Sequence, residues 1–138
     1  MKSYEIIEHT ADIAIRVRGS DLGELFCNAA LAVFDIISKR KNINPREHKK
    51  IQIKQRADNL EELFVNWLNE LLSLAEAKGL IFFRFYINTI GNNSLDAIAV
   101  GEKRDGYAVN KEIKAATYHE LKISEGASGW QAEVILDV

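Results

Sequence analysis

Cysteine and proline each occur once in the 138 residues, and each scarcity removes a class of explanation. One cysteine, Cys27, excludes an internal disulfide framework and fits a reducing compartment. The lone proline, Pro45, leaves no proline-rich tract, and no low-complexity segment, internal repeat or domain linker interrupts the chain. No apolar run approaches the roughly 20 residues of a membrane span, and the N-terminus lacks a basic-then-apolar signal pattern. A cytoplasmic protein with no membrane partner is therefore expected. Common catalytic signatures are missing too: no phosphate-cradling glycine loop, Cys-x-x-Cys pair, His-Glu-x-x-His helix or Gly-x-Ser-x-Gly elbow. Charge of one sign is also lacking. The net charge of −2 argues against a general nucleic-acid binder, which is usually strongly basic. One local exception is the basic segment carrying Lys39, Arg40, Lys41, Arg46, Lys49 and Lys50. It reads either as a solvated connection or as an RNA contact.

What is present is an ordinary globular composition, 47% hydrophobic and 28% charged, in a chain long enough to bury a core. A single domain over 1–138 is expected. Tyr4-Glu5-Ile6-Ile7 reads as a short strand. From Asp12 to Gly19 polar or small residues alternate with Ile13, Ile15 and Val17, the period of a strand with one face on a core. Asp21 with Glu24 makes a capping box for a helix whose apolar stripe is Leu22, Leu25, Phe26, Ala29, Val33, Ile36 and Ile37. Cys27 lies just off that stripe, as a half-buried thiol. Residues 50–55 alternate as a strand. Asp58 with Glu61 repeats the capping signal before the stripe of Leu60, Leu63, Phe64, Trp67, Leu68, Leu71, Leu72 and Ala75, which Gly79 closes. Glu61, Glu62, Asn66, Asn69 and Glu70 form its solvated flank. Strands over 80–90, 94–101, 117–123 and 130–138 complete the chain. Late hairpins and two long amphipathic helices predict an α+β fold, a two-layer sandwich of helices on a mostly antiparallel or mixed sheet.

The chemistry rests on acidic residues at the two ends of the chain. Asp12 opens its strand on the face opposite the isoleucines, and Asp137 lies off the apolar face of the last strand, beside the carboxylate of Val138. If those strands are neighbours, the three groups suit a hard divalent cation, which prefers oxygen ligands and would remove their mutual repulsion. Otherwise they are two exposed aspartates that never meet. Lys114, beside Thr117, Tyr118 and His119, offers charge to a phosphate or an acidic surface, or is simply a lysine at the mouth of a strand.

Taken together, His9-Thr10-Ala11-Asp12-Ile13, Lys114-Ala115-Ala116-Thr117-Tyr118-His119 and the closing Ile135-Leu136-Asp137-Val138 resemble the archease family over essentially the whole chain. The resemblance implies a non-enzymatic protein cofactor of the RtcB-type tRNA-splicing RNA ligase, promoting ligase guanylylation and multiple turnover, with tRNA met only through the ligase. It implies metal ligation by Asp12, Asp137 and Val138, with Ca²⁺ expected and Mg²⁺ or Mn²⁺ as alternatives, and a ligase-activating role for Lys114. His9 and His119 read either as side chains around those ligands or as hydrogen-bonded structural histidines. Two competing readings are a small metal-dependent phosphohydrolase or nuclease and an RNA-binding or chaperone-like module using the basic segment.

Overall fold

A computed structural model of the chain describes residues 3–8, 12–38, 48–104 and 111–138. In order, it contains β1 (Tyr4–Glu8), β2 (Asp12–Gly19), α1 (Leu22–Ile37), β3 (Lys49–Arg56), α2 (Leu60–Lys78), β4 (Leu80–Ile90), β5 (Ser94–Lys103), β6 (Ala115–Gly126) and β7 (Gly129–Asp137). The connections carrying Pro45 and the Asp105-Gly106 turn lie outside the described residues, as does most of the basic segment.

The helix starts show how local chemistry sets boundaries. The Asp21 carboxylate accepts the Glu24 N–H at 2.8 Å, as a capping residue should. Glu24 reaches back one residue further than a standard capping box, accepting from the Ser20 N–H at 3.1 Å and the Ser20 hydroxyl at 3.2 Å. The cap of α2 is Asn59 and not Asp58, with its side chain accepting the Glu62 N–H at 2.8 Å. The reason for the one-residue shift is tertiary. Asn93 in the β4–β5 turn donates its amide to the carbonyls of Ala57 and Asp58, so those residues are held as a turn and the helix begins after them. Gly79, at φ 64°, closes α2 in the left-handed region that glycine adopts without a Cβ penalty.

The fold is α+β, and every strand pairing is antiparallel. The strands nevertheless divide into two sheets, ordered β1-β2-β7-β6 and β3-β5-β4. Both helices touch both sheets: α1 meets β2 and β4, and α2 meets β6 and β4. This explains a feature that the single apolar stripe misses. Around α1, Leu25, Phe26, Ala29, Ala30, Ala32, Val33, Phe34, Ile36 and Ile37 are all buried, and a helix apolar around most of its girth is one enclosed on more than one side. Phe34, off the expected stripe, turns to the second sheet, where its ring meets Phe82 edge-on at 5.5 Å and Phe85 at 6.2 Å.

The two helices are joined by Trp67, which is wholly buried, as its stripe predicts. Its indole N–H donates to the Phe26 carbonyl at 2.9 Å, and Phe26 meets Phe64 edge-on at 5.1 Å. Cys27 is half-buried, with its thiol 3.5 Å from the Phe85 carbonyl. Burial, followed by the charges of Asp21 and Glu24, pushes that thiol up to about 11, so it is a poor nucleophile. Among the described residues no helix is long and apolar enough to cross a membrane.

Candidate functional site

The neighbouring of the two acidic strands, on which the site depends, is present. β2 runs antiparallel to β7, and Asp12 stands directly opposite Asp137. Ile13, Val134 and Leu136 are buried, so period two turns both aspartates to the outer face of the sheet. Side chains directly opposite on one face have Cβ atoms about 5 Å apart, and like charges so placed repel.

The rest of that face does not offset the repulsion. Two residues inward from the aspartates lies a neutral row, Ile7, Ala14, Ile135 and Thr117. Beyond it come Glu5, Arg16, Glu133 and Lys122. Arg16 is committed there, 3.5 Å from Glu5 and 3.3 Å from Glu133. Among the described residues the aspartate pair therefore sits at the rim without a protein cation across its own row. One oxygen of Asp12, Oδ1, is buried and has no hydrogen-bond partner. An orphaned, buried carboxylate oxygen is costly unless something positive fills the place.

Hard oxygen donors in this arrangement fit a divalent cation such as Ca²⁺, Mg²⁺ or Mn²⁺ better than a softer ion that seeks nitrogen or sulfur. Among the described residues no cluster of three His, Cys, Asp or Glu side chains is formed. From the described residues, the remaining ligands would be backbone oxygens and water. Val138 directly follows Asp137, with its side chain packed partly against the core.

On the other side of Asp137 lies β6, with Ala115 opposite it and the Lys114 N–H donating to its carbonyl at 2.8 Å. The exposed Lys114 is thereby tied to the same rim as Asp12 and Asp137. His119 is further along β6, its side chain three-quarters exposed and its Nε2 4.0 Å from a Glu120 carboxylate oxygen. None of the hydrogen bonds or ion pairs among the described residues joins it to the aspartates. His9 lies outside the described residues. Lys49 and Lys50, the described end of the basic segment, are exposed on β3 in the other sheet.

The Archease protein family (MTH1598/TM1083) matches residues 4–138 of this chain. The chain belongs to the archease family. It is 41% identical to the protein archease of Methanosarcina barkeri, over 99% of this chain and 97% of that one. It is 38% identical to that of Pyrococcus furiosus over the full length of both. Among solved structures it resembles protein 1598 of Methanobacterium thermoautotrophicum, with a TM-score of 0.76, 30% identity and complete coverage of both chains. It also resembles an archease of Thermotoga maritima described as a possible chaperone, with a TM-score of 0.65, 25% identity and coverage of 96% and 94%.

In this archease-family chain one residue of the rim escapes a sequence reading. Asn69, assigned there to the solvated flank of α2, donates its amide to the Ala116 carbonyl at 3.1 Å and accepts the Ala116 N–H at 2.7 Å. β6 is an edge strand, and Asn69 serves Ala116 as a neighbouring strand would, two residues from Lys114. No pattern in the sequence marks this, because a polar residue on a helix flank normally faces water. Replacing Asn69 with leucine removes both bonds and leaves two backbone groups unmatched, which should cost about 2–3 kcal/mol. Urea unfolding reads the loss, and hydrogen exchange should show the Ala116 amide opening faster. Stability within about 0.5 kcal/mol of the parent would mean the clamp contributes nothing.

Proposed function

We propose that this chain is a cytoplasmic, non-enzymatic activator of an RtcB-type tRNA-splicing RNA ligase, acting through a cation held at the Asp12–Asp137 rim. The observation that carries the reading is the buried, unpartnered Oδ1 of Asp12 directly across from Asp137, on the rim to which Lys114 is tied. Membership of the archease family supports it.

Asp12 and Asp137 would hold the cation, with Val138 contributing a backbone or terminal oxygen; Ca²⁺ is proposed first, Mg²⁺ or Mn²⁺ otherwise. A bound cation supplies positive charge for nucleotide phosphates or for a metal-dependent partner site. The chain's own contribution is placement. Two sheet strands and the Asn69 clamp hold the carboxylates and the backbone beside Lys114 at one rim, so that a lysine ammonium can meet phosphate oxygens as the ligase is guanylylated. Fixed charge of this kind lowers a barrier without any bond to the activator. tRNA is met only through the ligase.

A hydrolase reading is less well supported, since the described residues offer the cation two acidic side chains and no further carboxylate or histidine in ligand position. A chaperone-like reading has little apolar surface to use among the described residues, where the large exposed hydrophobics, Ile6, Tyr86 and Tyr118, stand on three different strands.

The test is guanylylation of an RtcB-type ligase from the same source, at limiting concentration, with and without this protein. Substoichiometric protein should accelerate it. An active ligase left unaffected by correctly folded protein would sink the proposal.

A further inference from the structure

The edge of the first sheet carries a feature that the rim itself does not use. Thr117 pairs with Ile135 and Lys122 with Glu133, so Tyr118, His119, Glu120 and Leu121 stand against Val134 alone. Three extra residues are thus pushed out of an edge strand. Glu120 has φ 53°, the one non-glycine with positive φ among the described residues, and backbone in that region is strained for a side chain with a Cβ. The bulge sorts its side chains by chemistry. Leu121 turns back and packs partly against the core. Tyr118 is 54% exposed, and the side chains of His119 and Glu120 are 75% and 70% exposed.

A bulge on an edge strand is a common way to block unwanted strand addition. A charge or a proline does that equally well, and an outward tyrosine does it badly, because it offers an apolar ring to any passing surface. Tyrosine is instead enriched in the buried centres of protein interfaces, where its rigid ring fills a pocket at low entropic cost. Location gives the bulge its relevance. Ala115, opposite Asp137, lies three residues before Tyr118, roughly 10 Å along the strand. A surface that receives the acidic rim therefore meets the bulge as well.

We infer that Tyr118, presented by the β6 bulge with His119 beside it, is a docking knob for the protein partner whose active site receives the Asp12–Asp137 rim. This rests on the function proposed above. Its complement is an apolar pocket with a cationic edge facing Glu120. Glu120, with its side chain 70% exposed beside the ring, repels a polyanion, which disfavours an RNA base as the occupant of the ring.

The experiment titrates the intact protein and its Tyr118→Ala and Tyr118→Phe variants into ligase, reading both binding and guanylylation. With the ring removed, the half-activating concentration should rise about tenfold or more, while the plateau at saturation stays that of the parent. Tyr118→Phe should remain near the parent. Because Tyr118 is exposed, both variants should melt with the parent. An unchanged half-activating concentration for Tyr118→Ala overturns the inference, and so does a lost plateau, which would make the tyrosine part of the cation rim. Weakened binding of a single-stranded RNA by Tyr118→Ala alone, with ligase titration unaffected, overturns it in favour of a base-stacking role. Unmutated protein that neither binds nor activates the ligase overturns the underlying function, and the parent control separates that case from the others.

Discussion

Replacing Asp12 with alanine should remove all activation of the ligase and all stabilisation by divalent cations, while leaving the cation-free protein as stable as the parent or slightly more so. The sign follows from the register. Without a cation, Asp12 and Asp137 are like charges directly opposite on one face, and deleting one relieves repulsion worth about 0.2–1 kcal/mol. It also removes the buried Oδ1 that has no partner. With a cation the balance reverses, because the folded parent binds it and the unfolded chain has no preformed site. At a hundredfold excess over Kd the parent gains about 2.7 kcal/mol, and the variant gains none. Thermal melts in EDTA, Ca²⁺, Mg²⁺ and Mn²⁺ read this directly and rank the ions. Asp12→Asn, which keeps the shape but not the charge, should behave like alanine towards the cation. A parent whose melting temperature ignores every divalent ion, or an alanine variant that keeps the parent's shift, would remove the cation from the account.

The strands that bear this site were legible in the sequence, and their meeting was not. Alternation in β2 and β7 fixes which residues face the core, so both aspartates could be placed on an outer face. Period two says nothing about which strand lies alongside which, and here the pairing joins opposite ends of the chain. Family resemblance supplied the expectation, and the register of Asp12 against Asp137 supplies the contact. Similar limits recur wherever tertiary contacts override local signals. Asp58 and Asn59 are both good caps, and only the grip of Asn93 on the preceding carbonyls selects the second. Phe34 falls outside a stripe drawn for one buried face because α1 has two sheets to satisfy. β6 reads as an uninterrupted strand from Thr117 to Ile123, since nothing in the residue types announces a bulge centred on a glutamate. Asn69 is invisible for the opposite reason: its residue type suits water, and its partner is backbone.

Electrostatics on the outer face of the first sheet connect the fold to the proposed function. Arg16 is held between Glu5 and Glu133, and the neutral row of Ala14 and Ile135 separates it from the rim. Had an arginine stood one row closer, it would have neutralised the aspartates internally and left no demand for a cation. On the proposed function, the rim would keep its charge for a ligand, and Lys114, which is exposed, would be left for a partner. Among the described residues the ion pairs of this face lie inward, at Glu5, Arg16 and Glu133, and the aspartates lie at its edge.

The far end of the same two strands is closely packed, and Gly129→Ala should show whether the ladder carries a displacement from there to the rim. Gly129 opens β7 at φ 112°, and a Cβ there would lie 2.5 Å from the Gly19 carbonyl oxygen and 3.1 Å from the Ser20 Cα. Neither neighbour can give way easily. Gly19 is itself so close to α1 that its own Cβ would meet the Leu25 nitrogen at 2.4 Å. Backbone strain together with overpacking should cost about 3–5 kcal/mol, a large share of the roughly 5–15 kcal/mol that holds a domain folded. Gly126→Ala is the control from the same hairpin, with nothing within 4 Å of the added carbon and an expected change below about 0.5 kcal/mol. Urea unfolding should separate the two variants cleanly; a Gly129→Ala protein within about 1 kcal/mol of the parent would mean the turn relaxes freely. Whatever fraction of Gly129→Ala folds can do so only by moving β7 away from β2 where Gly19 faces Trp130. That displacement passes along the ladder to Asp137, so the cation-dependent rise in melting temperature should shrink although neither aspartate has been touched. Gly129 is thus required locally, by its positive φ and the close approach of Gly19 and Ser20, and the cation-dependent melt reads how far along the ladder that requirement is felt.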